Sequence, residues 1–260
     1  MWRGKQNALL PGAFFRALDC WEPQKPGMLL GESGVFSLAL SWQVRMFLRG
    51  FRIHNIDCAL RFNAFALVDE AYRNNLQPEL VLMQTKIQRA FTPYQLLDVI
   101  GRLARLRAPT APGDVFFLLA PLKQFFDRDV GEQEGAYLLE RLFRMLTALR
   151  DRRVPLFIVE ANHYEHANHG RALEHLQSLA PLYWELQNRP TAGGEVQPTL
   201  RIRRSAAESI QGQRSLALSD NRYNTNSGGG ILQDGPNTAS LFHADPVGRR
   251  TSEAIQKRTA

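Results

Sequence analysis

"LLGESGVFSLALSW", residues 29–42, opens like a phosphate-binding loop set between a strand and a helix. A Walker A loop reads G-x-x-x-x-G-K-[ST] at such a place, because its amides, lysine and hydroxyl cradle phosphates and magnesium. Counting from Gly31, the second glycine falls on Phe36, the lysine on Ser37 and the hydroxyl on Leu38. What remains is a vestigial loop of Gly31, Glu32, Ser33, Gly34 and Ser37. Its free amides could still hold an anion weakly at the helix N-terminus. A tight strand-to-helix turn is the simpler reading of the same glycines, and we favour it.

Around this loop the chain alternates strands with helices. Residues 1–26 read as an irregular lead-in punctuated by Pro11, Pro23 and Pro26. "MLL" is a short strand, and Val35 to Arg52 has helical spacing at Phe36, Leu40, Val44 and Phe47. "RIHNIDCALRF" suits a buried strand, and "NAFALVDEAYRNN" an amphipathic helix capped by Asn63. "PELVLMQTKIQRAF" begins with strand-like residues. "TPYQLLDVIGRLARL" starts a helix with Thr92 as cap and Pro93 in the first turn. "GDVFFLLAPL" and "VPLFIVEAN" are continuous apolar runs, as in strands buried on both faces of a parallel sheet. "GAYLLERLFRMLTALRDRR" and "RALEHLQSLA" are helices, and "PLYWEL" and "TLRIRR" closing strands. The pattern predicts an α/β domain over residues 27–204, a mostly parallel sheet covered by helices on both faces. Residues 205–260, rich in Asn, Ser and Gly, read as a disordered tail.

The composition suits a globular protein: 260 residues, 44% hydrophobic, with a net charge of +7. That charge favours polyanionic partners. Most of the basic residues are arginine, which fits phosphate and bases but also follows from GC-rich coding. Two cysteines, Cys20 and Cys58, form no disulfide framework and read as buried thiols in a reducing compartment. No apolar run is long enough to span a membrane, and the N-terminus lacks a signal-peptide pattern, so a cytoplasmic location is expected.

The order strand, G-x-x-G loop, helix, then "IDCALRF", "RAFTPYQL", "DVFFLLAP", a long helix and "LFIVEAN", resembles the ATPase core of the RecA/RadA recombinase family over residues 27–204. The resemblance implies a RecA-like P-loop-type core and three features of ATP chemistry. The Walker A lysine and hydroxyl correspond to Ser37 and Leu38. The acidic residue that activates water corresponds to Ala59, although Ile56, Asp57 and Phe62 match their run. The Walker B aspartate should end a strand that here ends in Leu119, Ala120 and Pro121. Phosphoryl transfer needs charge neutralisation and an oriented water, so these replacements imply an inactive ATPase homologue with no cofactor.

The resemblance also implies two loops that contact single-stranded DNA. The loop after "LFIVEA" would present Asn162, His163, Tyr164, His166, Asn168, His169 and Arg171, an aromatic ring among polar and basic groups. The loop after the Walker B strand would present Lys123 and Arg128, although its second half is acidic. "FFRA", Phe14 to Ala17, matches the F-x-x-A form with which such recombinases dock on one another; burial of Phe14 in the chain's own core is the competing reading. Arginines cluster at Arg102, Arg105 and Arg107, at Arg150, Arg152 and Arg153, and at Arg201, Arg203 and Arg204. They would form a nucleic-acid footprint only if they converge.

The leading expectation is a non-catalytic RecA-like paralogue assisting DNA recombination or repair through single-stranded DNA, a recombinase partner or self-association. A protein-interaction scaffold without nucleic-acid binding is the second reading. A metal enzyme using His163, His166 and His169, spaced by three, is the third, and no known zinc signature accompanies them.

Overall fold

The computed structural model describes residues 12–105, 113–190 and 196–204. The expected disorder of residues 205–260, and the arginine at 107, fall outside the described residues. Seven strands form one sheet in the order β3-β2-β4-β5-β1-β6-β7. The strands are β1 Gly27–Gly31, β2 Arg52–Asp57, β3 Thr85–Arg89, β4 Asp114–Leu119, β5 Leu156–Ala161, β6 Leu182–Pro190 and β7 Val196–Arg204. All pairings are parallel except β6 with β7.

The helices are α1 Gly12–Ala17, α2 Val35–Leu48, α3 Ala64–Arg73, α4 Pro78–Met83, α5 Pro93–Arg105, α6 Glu132–Asp151 and α7 His169–Leu179. The chain runs from β1 to β2 to β3 in one direction across the sheet, then returns through β4 and β5 to β6. Right-handed crossovers therefore put α2, α3 and α4 on one face and α5, α6 and α7 on the other. The core divides accordingly. Leu96, Ile100, Leu142, Leu146 and Leu176 of α5–α7 pack on Leu118, Leu156 and Ile158. On the opposite face Leu38, Trp42 and Met46 of α2 pack on Phe117, Phe157 and Val159.

Five local readings are corrected. The lead-in is not irregular throughout: α1 forms there because Trp42 Nε1 donates to Phe14 O at 3.1 Å and Trp184 Nε1 to Ala17 O at 3.0 Å. A buried indole needs a partner, and these carbonyls supply it. α2 stops at Leu48, with Gly50 in the left-handed region beyond its cap. β2 stops at Asp57, because its carboxylate accepts from Arg61 N at 2.8 Å and Phe62 N at 3.3 Å and so turns the chain. "PELVLM" is helical, since Pro78 and Glu79 suit a first turn, and the strand follows it. Cys58 is buried but Cys20 is exposed.

Other expectations hold. Asn63 caps α3 by accepting from Phe65 N and Ala66 N. Thr92 Oγ1 accepts from Gln95 N at 3.2 Å at the start of α5. Among the described residues no helix is long and apolar enough to cross a membrane.

Candidate functional site

At the carboxyl edge of the sheet, the loop after β1 leaves toward one face and the loops after β4 and β5 toward the other. Such a divergence opens the crevice in which ligands of α/β sheets usually lie. Asn162 N donates to Gly31 O at 2.9 Å, so the loops after β1 and β5 are tied where they part.

The glycines of the β1 loop have structural reasons to be there. A Cβ on Gly31 would sit 2.8 Å from Leu186 Cβ and 2.9 Å from Leu186 O. Gly34 has φ +92°, a conformation that L-residues avoid. Val35 and Leu38 are buried in the core, whereas Glu32, Ser33 and Ser37 are exposed. The position counted as the hydroxyl therefore points inward. Phe36 carries the Arg61 guanidinium 5.1 Å from its ring centroid, an internal cation–π contact at the edge of the loop.

Asp57 is wholly buried and its oxygens serve the turn to Phe62, with Arg89 Nε 4.0 Å away. β4 ends without a carboxylate, in Leu119 and then Ala120 at φ +50°. The acid at this edge is Glu160, at the end of β5. Its Oε2 accepts from Leu122 N and its Oε1 from Ala161 N, both at 2.9 Å. Burial pushes its pKa up to about 7, against the two amide bonds and the Arg61 charge, which pull it down. Burial likewise raises the neighbouring Cys58 thiol, with the Glu160 and Asp57 charges adding to the effect. Glu160 is not among the candidates read from the sequence. The available signal was an acid closing an otherwise apolar strand, "LFIVEA".

Through Leu122, Glu160 anchors the start of the loop after β4, which forms a short 3-10 helix, Lys123–Phe126. That helix meets the loop after β5 through rings. Phe126 stacks on His166 with centroids 4.5 Å apart and faces Tyr164 at 6.2 Å. His169 meets the Phe126 edge at 5.8 Å and Tyr164 at 6.0 Å. His169 is buried, and its pKa is lowered by that burial and by the charges of His163 and His166. Asn168 N donates to His166 Nδ1 at 3.2 Å and so fixes the orientation of that ring.

A groove of about 700 Å³ opens beside this cluster between α6 and α7. Arg128, His166, Asn168 and Arg171 line it, with Phe126 on one side and His175 stacked on Phe143 at 4.0 Å on the other. Asp127, Glu132 and Glu140 line it too, so its charge is mixed. Of the remaining candidates, Tyr164 and His169 pack against Phe126, while Lys123, Asn162 and His163 lie outside the groove lining. Among the described residues no three His, Cys, Asp or Glu are placed to hold a metal ion. Phe14 is buried against α2, the sheet and Trp184, its own chain's core.

No protein-family model matches the chain, and no curated protein matches it.

Proposed function

We propose that the chain is a non-catalytic protein with a RecA-like core that binds single-stranded DNA, a recombinase, or both, in recombination or repair. The observation that carries this reading is the meeting of two loops that the sequence flagged separately. Phe126 of one stacks on His166 of the other, and Arg128 and Arg171 enter one groove beside the rings. Rings for stacking unpaired bases, beside cations for phosphate, are the chemistry of a single-strand site. The strand, glycine loop and helix at Gly31–Val35 support the RecA-like part. The buried Leu38, the engaged Asp57 and the carboxylate-free end of β4 support an absence of phosphoryl transfer.

Fluorescence anisotropy of a labelled single strand, titrated with the full chain over a salt series, tests the proposal. Binding should weaken with salt at a slope of about −0.7 per phosphate contacted. It should fall on changing Tyr164 and Arg171 together, and Mg-ATP should leave it unchanged. No binding at low salt would sink the DNA reading.

A protein-interaction scaffold is the second reading, and a different observation favours it. Phe65, Tyr72, Met83, Ile87, Phe91 and Tyr94 are large exposed apolar residues within the segment from α3 to the start of α5. Exposed apolar side chains on the edge strand β3 and the helix that leads into it, as Met83 and Ile87 are, mark protein contacts more often than nucleic-acid ones.

A further inference from the structure

The arginines flagged on α5 and α6 take no part in the loop site, and the fold gathers them at the opposite end of the molecule's sheet. Each of these helices follows a strand and runs back against it, so both end at the amino edge of the sheet. The Arg152 guanidinium donates to Ala104 O and joins their last turns. Gly101 of α5 faces both Arg105 and Met145 of α6.

Residues 98–105 and 144–153 carry six arginines (Arg102, Arg105, Arg144, Arg150, Arg152 and Arg153) against two aspartates. Asp98 pairs with Arg102 at 3.1 Å and Asp151 with Arg150 at 2.9 Å. Arg105, Arg144 and Arg153 are exposed, and no described carboxylate forms an ion pair with them. The two helix C-termini account for only part of this excess, since each presents roughly half a negative charge. Helix-dipole compensation alone would need one cation, not three. Arg153 also adopts φ +56°, in the left-handed region where a helix end favours glycine. Backbone strain is thus tolerated at a residue that adds a cation to the surface.

The same two segments contain no aromatic residue, and the two rings that line a groove with Arg102, those of His54 and Phe116, stack on each other at 4.8 Å instead of standing free for an unpaired base. We propose that this end binds the phosphodiester backbone of double-stranded nucleic acid, without reading bases. One end of the sheet holds rings that two loops bring together beside cations, and the other holds an excess of arginine over aspartate on two helix ends.

The test is anisotropy of a short labelled duplex with the full chain, comparing the unmodified protein with Arg105→Gln/Arg144→Gln/Arg153→Gly. The slope of log K against log salt should become shallower by about 0.9 for each contact removed, about 2.7 in all. Binding of a single strand should be retained, and thermal stability should hold, because glycine accepts the backbone conformation at position 153. Arg153→Gly alone provides the check should the triple variant fail to fold: it should bind duplex more weakly while melting no lower. The proposal is overturned if the unmodified protein ignores duplex at low salt, or if the triple variant binds it unchanged. Loss of duplex binding only on changing Tyr164 and Arg171 would overturn it as well, by placing both nucleic acids on the loops.

Discussion

Two glycines in the loop after β1 answer different demands, and alanine separates them. Gly31→Ala drives a methyl group into Leu186 and its carbonyl, and overpacking of this kind costs about 1–3 kcal/mol, here at the upper end because backbone must move. Gly34→Ala meets only Leu186 Cδ2 at 3.7 Å, so its cost is the positive φ, about 1–2 kcal/mol. Urea denaturation should rank the variants in that order, and equal losses would show that the loop is not positioned as described. Glu160 and His169 predict opposing pH dependences. Glu160 is a buried acid with its pKa raised to about 7, so its contribution is fully present below the ordinary carboxylate range and is lost as pH rises toward 7. The loss is on the order of 3 kcal/mol. His169, with its pKa lowered by burial, contributes stability above the ordinary histidine value that is lost as pH falls. Glu160→Gln should therefore flatten the decline of stability between pH about 5 and 7 and leave the histidine's rise with pH exposed. An unchanged profile would mean that Glu160 is ionised at little cost.

At the level of elements, helices with a side-chain cap and strands with continuous apolar runs are legible in the order of residues alone. Asn63 and Thr92 name their helices because a cap is a local hydrogen bond. Asn63→Ala should cost about 1 kcal/mol, read as a lower denaturation midpoint with an unchanged slope. What is illegible depends on partners distant in sequence. α1 exists because Trp42 and Trp184 seek carbonyls in it, and no pattern in residues 12–17 announces that. β2 reads as longer than it is, because Asp57 turns the chain with hydrogen bonds invisible to hydrophobic periodicity. The site divides in the same way. The positions of both loops can be read from the sequence, but their union through Phe126 and His166 cannot. Phe126→Ala should loosen that union: faster amide exchange across residues 162–168, with exchange in β5 unchanged, is the expected signature.

For the whole molecule, the sheet has two unlike borders. β3 is exposed along nearly its whole length beside apolar side chains of α3, α4 and Phe91, whereas β7 closes an antiparallel pair with β6. Replacing Met83 and Phe91, 79% and 55% exposed, with lysine should shift the melting temperature by no more than about 2–4 °C, because neither side chain supports the core. If that edge receives a protein, the same change should abolish its binding and leave the proposed binding of a single strand at the loops untouched. The β1 loop has a consequence for the history open to such a chain. Leu38 fills the core, Phe36 supports Arg61, and Gly31 exists to clear Leu186. A threonine at 38 would bury a hydroxyl and leave a void, and a glycine at 36 would release the arginine. Installing a working phosphate loop one substitution at a time would pass through less stable intermediates, so the packing of this turn itself opposes such a change.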